Sequence, residues 1–224
     1  MNYFVTGTDT GVGKTLISVA LLHALSAGGQ RVAGFKPVAA GCDAQGQNED
    51  VLALQAASAP QLLAAQINPY RFVPAVAPHL AAQQAGVEID LAHVVQRYHA
   101  LAAEVDTVIV EGVGGFVVPL SRTRTTADLA QQLGLPVILV VGMRLGCLNH
   151  ALLTRQAIAD RGLECAGWVA NAVVPAMPFL EDNIAALRER LDAPLLGVVP
   201  WQSVPDGRRV AGLLDPGKLE RKNA

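Results

Sequence analysis

Short, almost wholly apolar runs alternate along this chain with longer stretches in which apolar positions recur every three or four residues. Six runs read as strands: Tyr3–Thr6, Arg31–Lys36, Thr107–Glu111, Val137–Val141, Cys165–Asn171 and Leu195–Val199. They are continuous rather than in/out alternations, the pattern of strands covered by helices on both faces. Helical spacing marks about Lys14–Ala27, Leu91–Glu104, Thr126–Leu133, Asn149–Asp160 and Pro178–Leu191. In the last, Leu180, Ile184, Leu187 and Leu191 share a face. Glu181 and Asp182 sit in its first turn and Arg188 and Arg190 in its last, as the helix dipole favours. Gly28-Gly29 closes one helix, and Gly134 followed by Pro136 closes another. The alternation predicts an α/β fold: a single doubly wound domain over residues 1–224, with a mainly parallel sheet flanked by helices. Residues from about 207 onward read as a C-terminal tail.

Residues 39–86 fit the alternation less well. They hold a Gly/Gln/Asn-rich loop, a short helical pattern near Asp50–Ala57, and the turn-prone Asn68-Pro69-Tyr70 and Ala77-Pro78-His79. Long excursions beyond a strand end are common places for substrate contacts.

Composition narrows the function classes. Of 224 residues, 51% are hydrophobic and 16% charged, so the chain is globular rather than disordered. A formal net charge of −2 with scattered arginines gives no pull toward nucleic acid or acidic lipid. Cys42, Cys147 and Cys165 show no metal-ligand spacing and read as reduced core or loop residues. The longest apolar run is too short to span a bilayer and no signal-peptide pattern opens the chain, so a soluble cytoplasmic protein is expected.

The strongest chemical signal is Gly7-Thr8-Asp9-Thr10-Gly11-Val12-Gly13-Lys14-Thr15, set between an apolar strand and an amphipathic helix. That is the context of a P-loop, whose backbone wraps an anion at a helix N-terminus. Lys14 is placed to reach the β/γ phosphates and the Thr15 hydroxyl to ligate Mg²⁺. Against G-x-x-x-x-G-K-[ST] the first glycine falls one position early, on Gly7 rather than residue 8, and an ordinary glycine-rich turn is the competing reading. Glu111, after four strand residues and before Gly112-Val113-Gly114-Gly115, reads as a second magnesium motif at the carboxyl edge of the sheet, or as a solvated strand-end acid. Lys36, ahead of Pro37, points to the same edge or is a surface lysine. Asp50 is either a further Mg²⁺ ligand or a helix N-cap.

Together these segments resemble the dethiobiotin synthetase family. The likeness rests on Phe4-Val5-Thr6-Gly7-Thr8-Asp9-Thr10 running into Val12-Gly13-Lys14-Thr15, on Lys36-Pro37-Val38, on Asn68-Pro69-Tyr70 and on Val110-Glu111-Gly112. It continues through residues 136–141, Gly146-Cys147-Leu148-Asn149-His150, Gly167-Trp168-Val169-Ala170-Asn171 and Pro200-Trp201, and the displaced first glycine is typical of the family. The resemblance implies a P-loop NTPase-type enzyme of biotin biosynthesis that uses ATP and Mg²⁺. It carboxylates an amine of 7,8-diaminopelargonate with CO₂, phosphorylates the carbamate to a carbamic–phosphoric anhydride, and closes the ring of dethiobiotin with release of phosphate.

Carried over by motif, the resemblance gives Lys14, Lys36 and Thr10 catalytic roles and makes Thr15, Asp50 and Glu111 the metal ligands. Gly11, Val12, Gly13 and Leu16 join Lys14 and Thr15 around the nucleotide, with Gly112, Val113 and Gly114 beyond Glu111. Asn171, beside Ala172, would read the adenine, aided by Pro200, Trp201 and Gln202, with Asp206 further along the nucleotide site. Lys36, Ala40, Gly146, Cys147, Leu148 and Asn149 are the implied substrate contacts, the last four donated across a homodimer interface as an anion site for the substrate carboxylate. On sequence alone the 146–149 stretch reads equally as a plain helix-starting turn. Two positions depart from the family: Ala40 stands where a hydroxyl residue usually precedes glycine, and Ala172 where an acid often follows the asparagine. Partitioning and division-site ATPases, the main rival class, carry a lysine five residues before the P-loop lysine, and here that residue is Asp9. A related cobalamin-assembly amidating enzyme would need room for a glutaminase domain.

Overall fold

The computed structural model describes residues 1–219. Its elements run β1 (Tyr3–Gly7), α1 (Lys14–Ala27), β2 (Val32–Phe35), β3 (Val38–Ala40), α2 (Glu49–Ala57), α3 (Ala64–Ile67), β4 (Tyr70–Phe72), α4 (Pro78–Gln84) and α5 (Leu91–Ala102). They continue with β5 (Thr107–Glu111), α6 (Thr126–Leu133), β6 (Val137–Met143), α7 (Cys147–Asp160), β7 (Cys165–Ala172), α8 (Leu180–Arg190), β8 (Leu195–Val199) and α9 (Gly207–Ala211).

Six strands form one sheet in the order β2-β5-β1-β6-β7-β8, every neighbouring pair parallel. β1, β2, β5, β6 and β7 are buried along all or almost all of their length, whereas the edge strand β8 is only partly buried. Continuous apolar runs were the sequence signature of that two-sided burial. After β1 the chain crosses to β2 and β5 on one side, and from β5 it passes to β6 on the other. β1 therefore lies at the switch point, where open α/β sheets bind ligands beyond the strand carboxyl ends. Gly7, Glu111 and Met143 end at that edge.

Three features depart from the sequence reading. First, Val38–Ala40 and Tyr70–Phe72 pair in parallel as a small second sheet, Val38 opposite Tyr70. Three-residue strands are too short for periodicity to reveal. Second, residues 207–219 are folded rather than a tail. The whole side chain of Val210 is buried, and Gly207 packs so closely on α1 that a Cβ there would lie 2.4 Å from Val19 Cγ1. A 3-10 turn over Pro216–Leu219 follows; residues 220–224 lie outside the described residues. Third, Lys36 lies just past the end of β2 rather than inside it, and α7 begins two residues before the expected Asn149.

α6 carries a reciprocal N-terminal cap that matters for the site because it orders the preceding glycine-rich loop. Asp128 Oδ2 accepts from the Thr125 backbone N–H at 2.7 Å, while Thr125 Oγ1 accepts from the Asp128 N–H at 3.4 Å. Thr126 Oγ1 in turn donates to the Phe116 carbonyl at 2.5 Å and accepts from Val118 N–H at 3.0 Å. Burial works against the Asp128 carboxylate, but hydrogen bonds from Thr125 and Arg161 outweigh it and lower its pKa to about 2. A folded pKa below the ordinary value means that this stabilisation is complete above about pH 4 and is lost as pH falls toward 2. Replacing Asp128 with Asn is therefore expected to lower Tm at pH 6, with the gap from wild type closing as thermal melts are taken from pH 4 down to 2. A gap that stays constant over that range would assign the effect to packing instead.

Candidate functional site

β1 ends in Gly7, and the next six residues form the loop that delivers Lys14 and Thr15 to the first turn of α1. The displaced glycine has a packing reason. A Cβ on Gly7 would lie 2.5 Å from Val12 Cγ2, and Val12 is buried between Gly7 and Gly142. Gly13 caps α1 in the left-handed region at φ 88°, with no side-chain cap. The first N–H groups of α1 are thus left for an anion.

Four of the side chains singled out in the sequence meet at the mouth of this loop. Thr15 Oγ1 lies 2.7 Å from Asp50 Oδ1 and 2.8 Å from Glu111 Oε1. Lys36 Nζ donates to Glu111 Oε1 at 2.6 Å, to Asp50 Oδ2 at 2.8 Å and to the Gly112 carbonyl at 3.3 Å, which uses all three of its N–H groups. The bland readings of these residues fall away. Lys36 is 2% exposed and Glu111 fully buried, so neither is a solvated surface charge. Asn48, not Asp50, caps α2 by accepting from Val51 N–H. Asp50 sits in the first turn of α2 and is free to face Thr15.

Electrostatics separate the two lysines. Burial opposes the charge on Lys36, yet Glu111 and Asp50 outweigh it and raise its pKa. Burial also works against the Asp50 carboxylate, and the Lys36 ammonium and the Thr15 hydroxyl more than offset it, so its pKa is lowered. Lys14 goes the other way: burial first, then the nearby Lys36 charge, pull its pKa down. Its Nζ reaches only the Asp9 carbonyl, at 3.4 Å. Lys14 is thus a partly compensated cation within the P-loop.

Two adjoining clefts share Gly11 and Gly13. One, of about 350 Å³, is lined by Thr10, Lys14, Thr15, Lys36 and Asp50, with Ala40, Val113 and Gly114 at its wall. The other, of about 190 Å³, is lined by Leu16, Asn171, Ala172, Pro200, Trp201 and Gln202. Asn171 Nδ2 donates to the Val12 carbonyl at 2.8 Å, which ties the cleft wall to the loop. Asp206 lies outside that lining; its carboxylate caps α9 by accepting from Arg208 and Arg209 N–H. Gly146–Asn149 lines neither cleft. Gly146 is the N-cap of α7, and Cys147, Leu148 and Asn149 form the first turn, on the same sheet edge as the P-loop. Sequence reasoning missed Arg144, whose Nη2 lies 2.5 Å from Asp9 Oδ2 and so ties the β6 exit to the P-loop. No pattern of spacing marks that pair.

A carboxylate–lysine–hydroxyl cluster at a P-loop, built around the buried Lys36 and Glu111 and set beside a second cleft bordered by an asparagine, defines an ATP-dependent P-loop enzyme. An AAA domain profile matches residues 1–208. The chain is 52% identical over 217 residues to the ATP-dependent dethiobiotin synthetase BioD of Nitrosospira multiformis, covering 97% of this chain and 96% of that one. To the protein of the same name from Aromatoleum aromaticum it is 54% identical over 215 residues, covering 95% and 96%. The chain belongs to the ATP-dependent dethiobiotin synthetase family.

Among solved structures it resembles the cell division ATPase MinD of Pyrococcus furiosus, with TM-score 0.56 and 16% identity over 94% of this chain and 88% of that one. The septum site-determining protein MinD of Pyrococcus horikoshii, complexed with Mg-ADP, gives TM-score 0.53 and 17% identity over 99% and 90%. At that identity the likeness shows the fold alone. No described helix is long and apolar enough to cross a membrane.

Proposed function

We propose that this chain converts 7,8-diaminopelargonate, CO₂ and ATP to dethiobiotin, ADP and phosphate in the cytoplasm. The observation that carries the reading is the Lys36 ammonium held between Glu111 and Asp50 at the mouth of the P-loop. One amine of the substrate adds to CO₂ and loses a proton, giving a carbamate. A carbamate oxygen takes the γ-phosphoryl group from ATP, and the second amine then attacks the carbamoyl carbon and expels phosphate. The carbamate is unreactive until phosphorylated, so the site's task is to gather anions and hold them in line. Lys36 and Lys14 supply fixed positive charge on either side of the transferring group. Thr10 and Ala40 line the same cleft, where the reacting atoms would sit.

The donor set suits Mg²⁺. Thr15, Asp50 and Glu111 offer only oxygen, and Glu111 Oε2 is buried without a hydrogen-bond partner. Among the described residues no group of three or more His, Cys, Asp or Glu converges on one point. These residues would therefore hold the ion together with nucleotide phosphates, as Mg²⁺ prefers. When bound it neutralises β/γ-phosphate charge. Asn171 and the Pro200–Gln202 wall would hold the base, with Ala172 offering no acid toward it.

The anion site at Gly146–Asn149 completes the reading only in a homodimer, because it lines neither cleft of its own chain. Leu145, 99% exposed just before α7, together with the exposed Leu152 and Leu153, supports burial of that face against a second copy. The test is to incubate the protein with ATP, Mg²⁺, bicarbonate and diaminopelargonate and to measure phosphate and the cyclic urea. Diamine-dependent phosphate release matched by urea formation is expected; phosphate release indifferent to the diamine would sink the reading.

A further inference from the structure

Lys36-Pro37 falls in a gap between two sheets. The β2–β5 ladder ends with Phe35 opposite Val110, and the β3–β4 ladder begins with Val38 opposite Tyr70. Neither ladder serves the backbone that carries the lysine, and Pro37 has no N–H to offer. The partners come instead from the end of α3, the residue that follows it and the first residue of β4. Lys36 N–H donates to the Ile67 carbonyl at 2.8 Å, and Tyr70 N–H donates to the Pro37 carbonyl at 3.2 Å. The remaining group, the Lys36 carbonyl, accepts from Asn68 Nδ2 at 2.7 Å, and the same amide donates to the Tyr70 carbonyl at 2.9 Å.

We infer that Asn68 is a positioning residue for the reaction: its side-chain amide replaces the missing rung between the two sheets and fixes the backbone from which the Lys36 ammonium reaches the reacting group. The inference rests on the proposed role of Lys36. Asn68 is 4% exposed, so water does not readily take over the bond to the Lys36 carbonyl. Both Nδ2 partners are carbonyl oxygens, which fixes the amide's orientation. Its Oδ1 is buried and makes no hydrogen bond. The amide is therefore used for its donors alone, and a residue without it gives up two bonds but also one unpaired acceptor. Asn68 reaches neither the P-loop nor the base cleft, so its loss should act on Lys36 and not on the nucleotide. A long lysine stem amplifies a small shift at its root, and misplacement near 1 Å by a remote change is enough to cost turnover about 100-fold.

The experiment compares wild type with Asn68→Ala, Asn68→Asp and Asn68→Ser in the phosphate-release assay, alongside ADP binding and thermal melts. Expected are a fall in kcat of roughly 10–100-fold for Ala and Asp, with KM for ATP and ADP affinity close to wild type. Ser, which can donate to one of the two carbonyls, should lie between. Asp is the sharper variant because it keeps the shape and removes both donors. If Ala or Asp fails to fold, the Ser variant decides on the same split. Turnover within twofold of wild type in a folded variant would overturn the inference, as would kcat and ADP affinity falling together. Absence of diamine-dependent turnover in wild type would instead overturn the reading of Lys36 on which it rests.

Discussion

Lys36→Met is expected to lower kcat by roughly 10²–10³-fold, the scale of losing one preorganised charge contact to a transition state. The same substitution should also destabilise the protein without nucleotide. Among the described residues, Lys36 is the only cation within hydrogen-bond reach of both Glu111 and Asp50. Methionine fills the channel of the stem but leaves two carboxylates converging on Thr15 with no ammonium between them. Breaking a buried pair by removing one partner costs about 3–5 kcal/mol. Part of that loss should return with Mg-ADP, since a cation bound by the same oxygens replaces the missing charge. Thermal melts with and without Mg-ADP, beside kcat for diamine-dependent phosphate release, read the two effects separately. Lys36→Arg should recover stability better than turnover, because a planar fork does not match the three-way geometry of a point charge. A Lys36→Met variant with near-wild-type turnover would reject the catalytic role outright.

How much of this was legible in the sequence depends on the range of the interaction. The six-stranded sheet was visible because burial on both faces writes itself as continuous apolar runs such as residues 137–141. The nucleotide loop was visible because an anion cradle needs glycines, a lysine and a hydroxyl in fixed order. Even its anomaly was informative, though the reason needed coordinates: Gly7 is small to admit Val12, a contact within the loop that no spacing rule encodes. What could not be read were pairings between distant segments. The β3–β4 sheet joins residues more than 30 apart through two three-residue strands, too little chain for a periodic signal. Arg144 and Asp9 are 135 residues apart and each looks like an ordinary exposed charge. Asp50 stayed ambiguous between cap and ligand because both uses favour an acid in the first turn of a helix; the structure gives the cap position to Asn48. The segment after 207 looked like a tail because a five-residue helix has too few apolar positions, yet Val210, Leu214 and Leu219 bury their side chains and anchor it.

Gly13→Ala tests whether the loop and the base cleft act as one unit. Two independent penalties meet at this residue. Its φ of 88° is one that a residue with a Cβ adopts only under strain, which costs on the order of 1–3 kcal/mol. A Cβ there would also lie 2.3 Å from Asn171 Nδ2, the atom that holds the Val12 carbonyl. Relieving that clash breaks a hydrogen bond worth about 0.5–1.5 kcal/mol. Together these amount to ~1.5–4.5 kcal/mol, or roughly 10–2000-fold in ADP affinity if the loop distorts to accommodate the methyl group. If the loop resists distortion, the same free energy appears as lowered stability of the free protein. The double variant Gly13→Ala/Asn171→Ala distinguishes the sources. Removing the asparagine side chain eliminates the clash but leaves the backbone strain, so the two substitutions should be less than additive in Tm. Additive effects would mean that Asn171 moves aside freely, and that the hydrogen bond between the base cleft and the phosphate loop does not couple the two ends of the nucleotide site.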